Sequence, residues 1–188
     1  TAGIGGAAHL VNFLGTDTLA GIVTARRFYG AEMAGLSIPA TEHSTMTTWG
    51  REGEAAAVRG IMERIPSGGL AMVVDSYDIW QMLECTIGEE LREIVEARSK
   101  AGGGFLVVRP DSGDPREVLG RVFTILGSKF GYTTNTKGYK VLPECIRVIQ
   151  GDGISYDSIG DILESLAGTQ SPIMTRSLMD IFRRRLEH

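Results

Sequence analysis

The chain has 188 residues, 43% of them hydrophobic and 22% charged, which is long enough for one domain with a sizeable core. Its net charge is −4 and it has no long basic tract apart from Arg183-Arg184-Arg185, so composition speaks against nucleic-acid binding. No apolar run reaches membrane-spanning length and no signal peptide is legible, so the expectation is a cytoplasmic protein outside any membrane.

The chain opens on a glycine-rich stretch with Gly3, Gly5 and Gly6. Asp17, within Gly15-Thr16-Asp17-Thr18, either caps a helix running from Thr18 through Ile22 to Phe28 or presents its carboxylate to an amide. Ser37-Ile38-Pro39-Ala40 reads as a short strand, and Glu42-His43-Ser44-Thr45 follows it. A helix is predicted over Glu54 to Ile65, with Ala55, Val58, Ile61, Met62 and Ile65 on one side. Leu70 to Val74 is an apolar strand that ends at Asp75-Ser76-Tyr77-Asp78, where Asp75 is placed to order its neighbours and Asp78 to cap a helix.

Glu89 to Ser99 carries Leu91, Ile94 and Val95 at helical spacing, and Phe105 to Val108 is a second strand, ending at Arg109-Pro110-Asp111-Ser112-Gly113. Asp114-Pro115 is a strong helix start, followed by a buried stripe of Val118, Leu119, Val122 and Leu126. The insert between Phe130 and Pro143 lacks any period and reads as a hairpin or a loop, with Lys137 and Lys140 as solvated charges. Ile146 to Ile149 is a third strand, ending at Gln150-Gly151-Asp152-Gly153, and Asp157 is placed to cap a last helix carrying Ile159, Ile162, Leu163 and Leu166.

Short runs rich in valine and isoleucine, alternating with helices, predict an α/β fold with parallel strands. The strands lie roughly 35–40 residues apart, the length of a βα unit. An open sheet and a barrel segment both satisfy this pattern, and both gather ligands at the C-terminal ends of the strands. The polar words all sit at such ends.

Arg109 leaves a buried strand, so its charge must be met. Asp111 either meets it in an internal salt bridge, or Arg109 grips a phosphate while Asp111 takes a ribose hydroxyl or a ring nitrogen. Ser112 and Gly113 add backbone N–H groups near a helix start, where anions are favoured. Gly151 and Gly153 let a ligand approach the backbone, and Asp152 between them can accept from a hydroxyl; a plain turn explains the same residues. His43 in its polar loop is either a hydrogen-bonded loop residue or a phosphate contact and phosphoryl acceptor. Only one histidine has suitable company, so no protein metal site is expected. Cys85 and Cys145 form no CxxC pair and are expected to be buried thiols in a reducing compartment. No GxGxxG follows a strand, and neither GxxxxGK[ST] nor GxSxG occurs, which disfavours a dinucleotide fold, a P-loop and a serine hydrolase.

In combination and order, these words resemble the nicotinate/nicotinamide phosphoribosyltransferase family. They are Thr1-Ala2-Gly3-Ile4-Gly5, Ala8-His9-Leu10-Val11-Asn12-Phe13, Gly15-Thr16-Asp17-Thr18, Glu42-His43-Ser44-Thr45, Asp75-Ser76-Tyr77-Asp78-Ile79, Arg109-Pro110-Asp111-Ser112-Gly113, Lys137-Gly138-Tyr139-Lys140 and Arg147-Val148-Ile149-Gln150-Gly151-Asp152-Gly153. The resemblance implies a partial irregular (β/α) barrel of the type II phosphoribosyltransferase kind over residues 1–166, with 167–188 as a divergent tail. It implies phosphoribosyl transfer from phosphoribosyl pyrophosphate to nicotinamide, giving nicotinamide mononucleotide and pyrophosphate, with Mg²⁺ on the donor, ATP as an accessory substrate and a homodimer. By resemblance, Asp17 selects the carboxamide and His43 contacts phosphate and accepts a phosphoryl group. Arg109, Pro110 and Asp111 contact substrate and diphosphate, Gly151 and Asp152 lie on the ribose and phosphate side, and Asp75 supports them. The carboxylate of Asp17 argues against nicotinic acid as substrate, through charge repulsion.

The sequence departs from the family's pattern at both ends. The family's N-terminal portion, with an arginine and an aromatic residue that clamp substrate, is not in the chain, and its glycine-rich phosphate loop does not appear after Leu166. Leu186-Glu187-His188 reads as the stub of a vector-encoded tag. The competing expectation is therefore a non-catalytic fragment that acts only through folding or protein association.

Overall fold

The computed structural model describes residues 1–151, 154–167 and 173–174. The chain divides into two compact units, Thr1–Pro39 and Ala40–His188.

The first unit is a helical pair, α1 (Ala2–Leu10) and α2 (Leu19–Tyr29). Glycine is a poor helix former, yet the glycine-rich opening is helical because α1 and α2 touch through it. A Cβ on Gly6 would stand 2.9 Å from the Cα of Gly21, and one on Gly21 would stand 2.8 Å from the carbonyl carbon of Gly6. Gly30, at φ 65°, closes α2 in the left-handed conformation that favours glycine. Thr18, not Asp17, occupies the N-cap of α2. The strand expected over Ser37 to Ala40 does not form. That segment instead flanks two isolated parallel bridges, Gly15 with Leu36 in the first unit and Ala40 with Ala71 in the second. Pro39 lacks the N–H that a continuous ladder needs.

The second unit runs α3 (His43–Thr48), α4 (Gly50–Arg64), β1 (Gly69–Val73), α5 (Ile79–Gln81), α6 (Arg92–Gly102), β2 (Phe105–Arg109), α7 (Pro115–Phe130), β3 (Thr133–Thr134), β4 (Lys140–Val141), β5 (Ile146–Val148), α8 (Tyr156–Ala167) and β6 (Ile173–Met174). Strands β1, β2 and β5 form a parallel sheet in that order, with Val73 opposite Arg109 and Val108 opposite Val148. Leu70–Val74 and Leu106–Val108 are buried, as strands covered on both faces must be. Helix α7 presses Leu119, Val122, Phe123 and Leu126 into the same core. No closed barrel forms among the described residues; the α/β class and the three predicted strands are present as an open parallel sheet.

Several local expectations shift. Helix α4 starts at Gly50; on the predicted side Val58 and Met62 are buried and Ile61 and Ile65 pack partly buried against the core, while Glu54 and Ala57 join the buried side and Ala55 is only half-buried. The helix expected from Glu89 begins at Arg92, because Met82–Glu90 is wound as a π-helix and Leu91 breaks the pattern. Gly88 fits that wide turn, since a Cβ there would meet the Leu83 carbonyl oxygen at 2.5 Å. Asp114 caps α7 by accepting from the Arg116 backbone N–H at 2.9 Å, and hydrogen bonds from the Arg116 side chain help hold its carboxyl down to about 2. Asp78 caps α5 by accepting from the N–H groups of Trp80 and Gln81. Asp157, however, lies inside the first turn of α8; the Ser155 hydroxyl accepts from the Ser158 N–H at 3.1 Å and does the capping. The insert after α7 is a β3–β4 hairpin whose turn is closed by Asn135, accepting from the N–H groups of Lys137 and Tyr139. Cys145 is buried as expected, whereas Cys85 is exposed, because it falls on the outer side of the π-helical stretch.

Arg98 holds the sheet to the helices. It is buried on α6 and donates to the carbonyl oxygens of Met62 (3.0 Å) and Ile65, left open where α4 ends, and to that of Gly68 (3.2 Å), which also accepts from the Phe105 N–H. Arg98→Met should therefore lose about 1–3 kcal/mol of unfolding free energy, because it leaves buried carbonyls without donors. Urea titration measures this, and a variant as stable as the parent would show that Arg98 holds nothing.

Candidate functional site

The second unit gathers charged side chains at the C-terminal edge of its parallel sheet. Thr41 threads the approach. Its N–H donates to the Ala71 carbonyl and its hydroxyl accepts from the Val73 N–H, both at 3.0 Å. The segment is thereby fixed along β1, and Glu42 and His43 emerge where the strand ends.

Asp75 lies just beyond β1, with only 4% of its side chain exposed. Its Oδ1 lies 3.0 Å from Nε2 of His43. Its Oδ2 accepts from the Asp111 N–H at 2.9 Å and from the Ser112 hydroxyl at 2.5 Å. Burial pushes the Asp75 carboxyl up, but the hydrogen bonds from Ser112, Asp111 and His43 outweigh it and hold the group below the usual carboxylate range. An ionised Asp75 can only accept, so Nε2 of His43 carries a proton. The other ring nitrogen, Nδ1, is then the free one when the imidazole is neutral, and it lies 3.9 Å from Oδ2 of Asp111. The imidazole is 43% exposed, open to a ligand from one side.

Arg109 ends β2. Its Nη2 donates to Oε2 of Glu42 at 3.0 Å and to the Thr41 carbonyl at 3.2 Å. Asp111 does not pair with it; the salt bridge is made with Glu42, because Asp111 turns toward His43 while its own N–H is held by Asp75. The Arg109 Nε is buried without a partner. Pro110 is buried between the two. Gly113 has φ 87°, and a Cβ there would press on Val118, so this glycine sets the turn into α7.

The remaining expected residues lie elsewhere. Gly151 is exposed just past β5, on the edge of the sheet that also carries Arg109. Asp152 lies outside the described residues. Asp17 belongs to the first unit, where its carboxylate accepts from the Ser37 hydroxyl. The sequence reading missed Glu42 as the partner of Arg109, together with the roles of Thr41 and of the Ser112 hydroxyl. No spacing rule joins residues 67 positions apart, so only the parallel pairing of β1 with β2 reveals that ion pair. Among the described residues no group of three His, Cys, Asp or Glu side chains can hold a metal ion.

The model of the nicotinate phosphoribosyltransferase family matches residues 1–174. The chain is 49% identical over 168 residues to a nicotinamide phosphoribosyltransferase of Xanthomonas campestris pv. campestris, covering 88% of this chain and 35% of that protein. It is 37% identical over 172 residues to one of Mycoplasma pneumoniae (85% and 35%) and 35% identical over 179 residues to one of Acinetobacter baylyi (86% and 35%). The chain thus spans about a third of the length of these relatives.

Asp75 gives the site a defined acid response. Its folded pKa is depressed, so its stabilisation is complete above the ordinary carboxylate pKa and is lost as pH falls through the folded value. Asp75→Asn should be less stable than the parent at neutral pH, with the gap narrowing as the pH falls below the ordinary carboxylate pKa. Urea unfolding across that range reads it, and a gap that stays constant with pH would remove the charge of Asp75 from the account.

Proposed function

The chain belongs to the nicotinate phosphoribosyltransferase family, and from that membership we propose that the protein transfers a phosphoribosyl group from phosphoribosyl pyrophosphate to nicotinamide, giving nicotinamide mononucleotide and pyrophosphate in NAD biosynthesis. The observation that carries the reading is the meeting of His43, Asp75, Asp111 and Arg109 where β1 and β2 end.

In this reaction the bond from the anomeric carbon to the pyrophosphate oxygen breaks, and the pyridine nitrogen lone pair forms the new C–N bond. Positive charge grows on the sugar and negative charge on the leaving group. Arg109, preset by Glu42 and Thr41, meets the developing anion without reorganising. Asp111 faces the sugar, where a carboxylate accepts from ribose hydroxyls and stabilises positive charge. A pyridine nitrogen needs no protein base. His43, steered by Asp75, contacts phosphate and offers its free ring nitrogen as acceptor for the terminal phosphoryl group of ATP.

Mg²⁺ bound to the diphosphate supplies charge neutralisation to the leaving group. Asp75 and Glu42 are already engaged, which leaves Asp111 as the carboxylate to hold the ion. That fits a cation carried in on substrate phosphates and met by one or two carboxylates. The assignment of Asp17 to the carboxamide, Pro110, Gly151 and Asp152 to the substrate surface, and the homodimer all rest on the family resemblance, and the cytoplasmic location rests on the sequence reading alone.

Incubation with nicotinamide, phosphoribosyl pyrophosphate and Mg²⁺ should yield nicotinamide mononucleotide by chromatography. A folded sample that makes none favours the non-catalytic reading. Arg109→Lys should lower kcat/KM by about 10²-fold, since an ammonium cannot reproduce the guanidinium fork. Asp17→Ala should weaken nicotinamide binding far more than pyrophosphate binding in calorimetry; equal losses would take Asp17 out of the amide role.

A further inference from the structure

The Ser112 hydroxyl has a task that the transfer chemistry leaves unassigned. It donates to Oδ2 of Asp75 at 2.5 Å, beside the Asp111 N–H at 2.9 Å. Both donors land on one carboxylate oxygen, which leaves Oδ1 turned to Nε2 of His43 at 3.0 Å. The Asp75 side chain is only 4% exposed, so protein donors and not water set its rotation. The last torsion of an aspartate is broad, and a single N–H leaves the carboxylate room to swing. The Ser112 hydroxyl supplies the second anchor.

The imidazole depends on that anchor. Among the described residues, Asp75 is the one hydrogen-bond partner of the His43 ring; Oδ2 of Asp111 stands 3.9 Å from Nδ1, too far to bond. An imidazole can take a phosphoryl group on either nitrogen, and the one left without a hydrogen bond is the nucleophile. Asp75 covers Nε2, so Nδ1 stays bare.

We propose that Ser112 is a positioning residue that confines phosphoryl acceptance by His43 to Nδ1. It acts through Asp75 and not on the ring itself. In the step, the Nδ1 lone pair forms the N–P bond while the donor's bond to phosphorus breaks, its electron pair leaving with the departing group. The Nε2 proton stays between the ring and Asp75. This role rests on His43 being the phosphoryl acceptor, and the test separates the two claims.

Potassium phosphoramidate phosphorylates histidine without an enzyme, its phosphorus–nitrogen bond breaking as ammonia leaves. The treated parent should carry the group on Nδ1 of His43, located by peptide mapping and by proton–phosphorus correlation NMR, which tells the two ring isomers apart. Ser112 is exposed, so Ser112→Ala removes the hydroxyl without opening a cavity. That variant should let the Nε2 isomer rise to roughly a tenth or more of the product. Ser112→Cys keeps the size but weakens the donor and should behave alike, so the test stands even where the alanine variant fails to fold. Ser112→Thr, which keeps the hydroxyl, should restore Nδ1 alone. If folded alanine or cysteine variants still react at Nδ1 alone, or if the threonine variant gives a mixture, Ser112 positions nothing and His43 remains an acceptor. If the parent takes no group on His43, or takes it on Nε2, the acceptor reading fails and the proposal falls with it.

Discussion

The carboxylate of Asp75 ties three separate stretches of chain into one arrangement. One oxygen faces the imidazole at the start of α3, and the other holds the backbone N–H of Asp111 and the hydroxyl of Ser112 beyond β2. A carboxylate has enough lone pairs for all three partners, and in a nearly dry setting each hydrogen bond to an ionised acceptor is stronger than between neutral groups. The proton position on His43 and the turn that presents Asp111 both follow from that one group. Its place follows in turn from the sheet, because β1 and β2 are parallel and in register, so their exits lie side by side.

Two arginines show how the same side chain serves opposite ends. Arg98 is buried and meets only carbonyl oxygens, so its fork acts as a clamp on the end of α4. Burial lowers its proton affinity, yet a guanidinium stays charged, which makes the clamp insensitive to ordinary pH. Arg109 instead shares one carboxylate and one carbonyl and remains 17% exposed at the strand end. One fixes the core; the other is held in place with part of its surface open.

The first unit follows a different logic. Its two helices meet through glycine, which brings the backbones close but leaves little side-chain surface between them. Ile4, Val11, Leu14, Val23 and Phe28 consequently stand exposed, more apolar surface than a small helical pair can cover.

The sequence by itself determined the α/β class, the three parallel strands, the strong cap at Asp114 and the placing of polar words at strand ends. Each of these depends on periodicity or on contacts within a few residues, which local spacing encodes. It misjudged the caps at Asp17 and Asp157, because an aspartate near a helix start can turn to other partners, and Ser155 was the nearer acceptor. Only the tertiary structure decided that Arg109 meets Glu42 and not Asp111, that Arg98 continues a stripe of apolar residues as a clamp, and that Glu54 is buried without a donor. Those outcomes depend on carbonyls and carboxylates brought together from distant positions, and no pattern along a single stretch of chain carries that information.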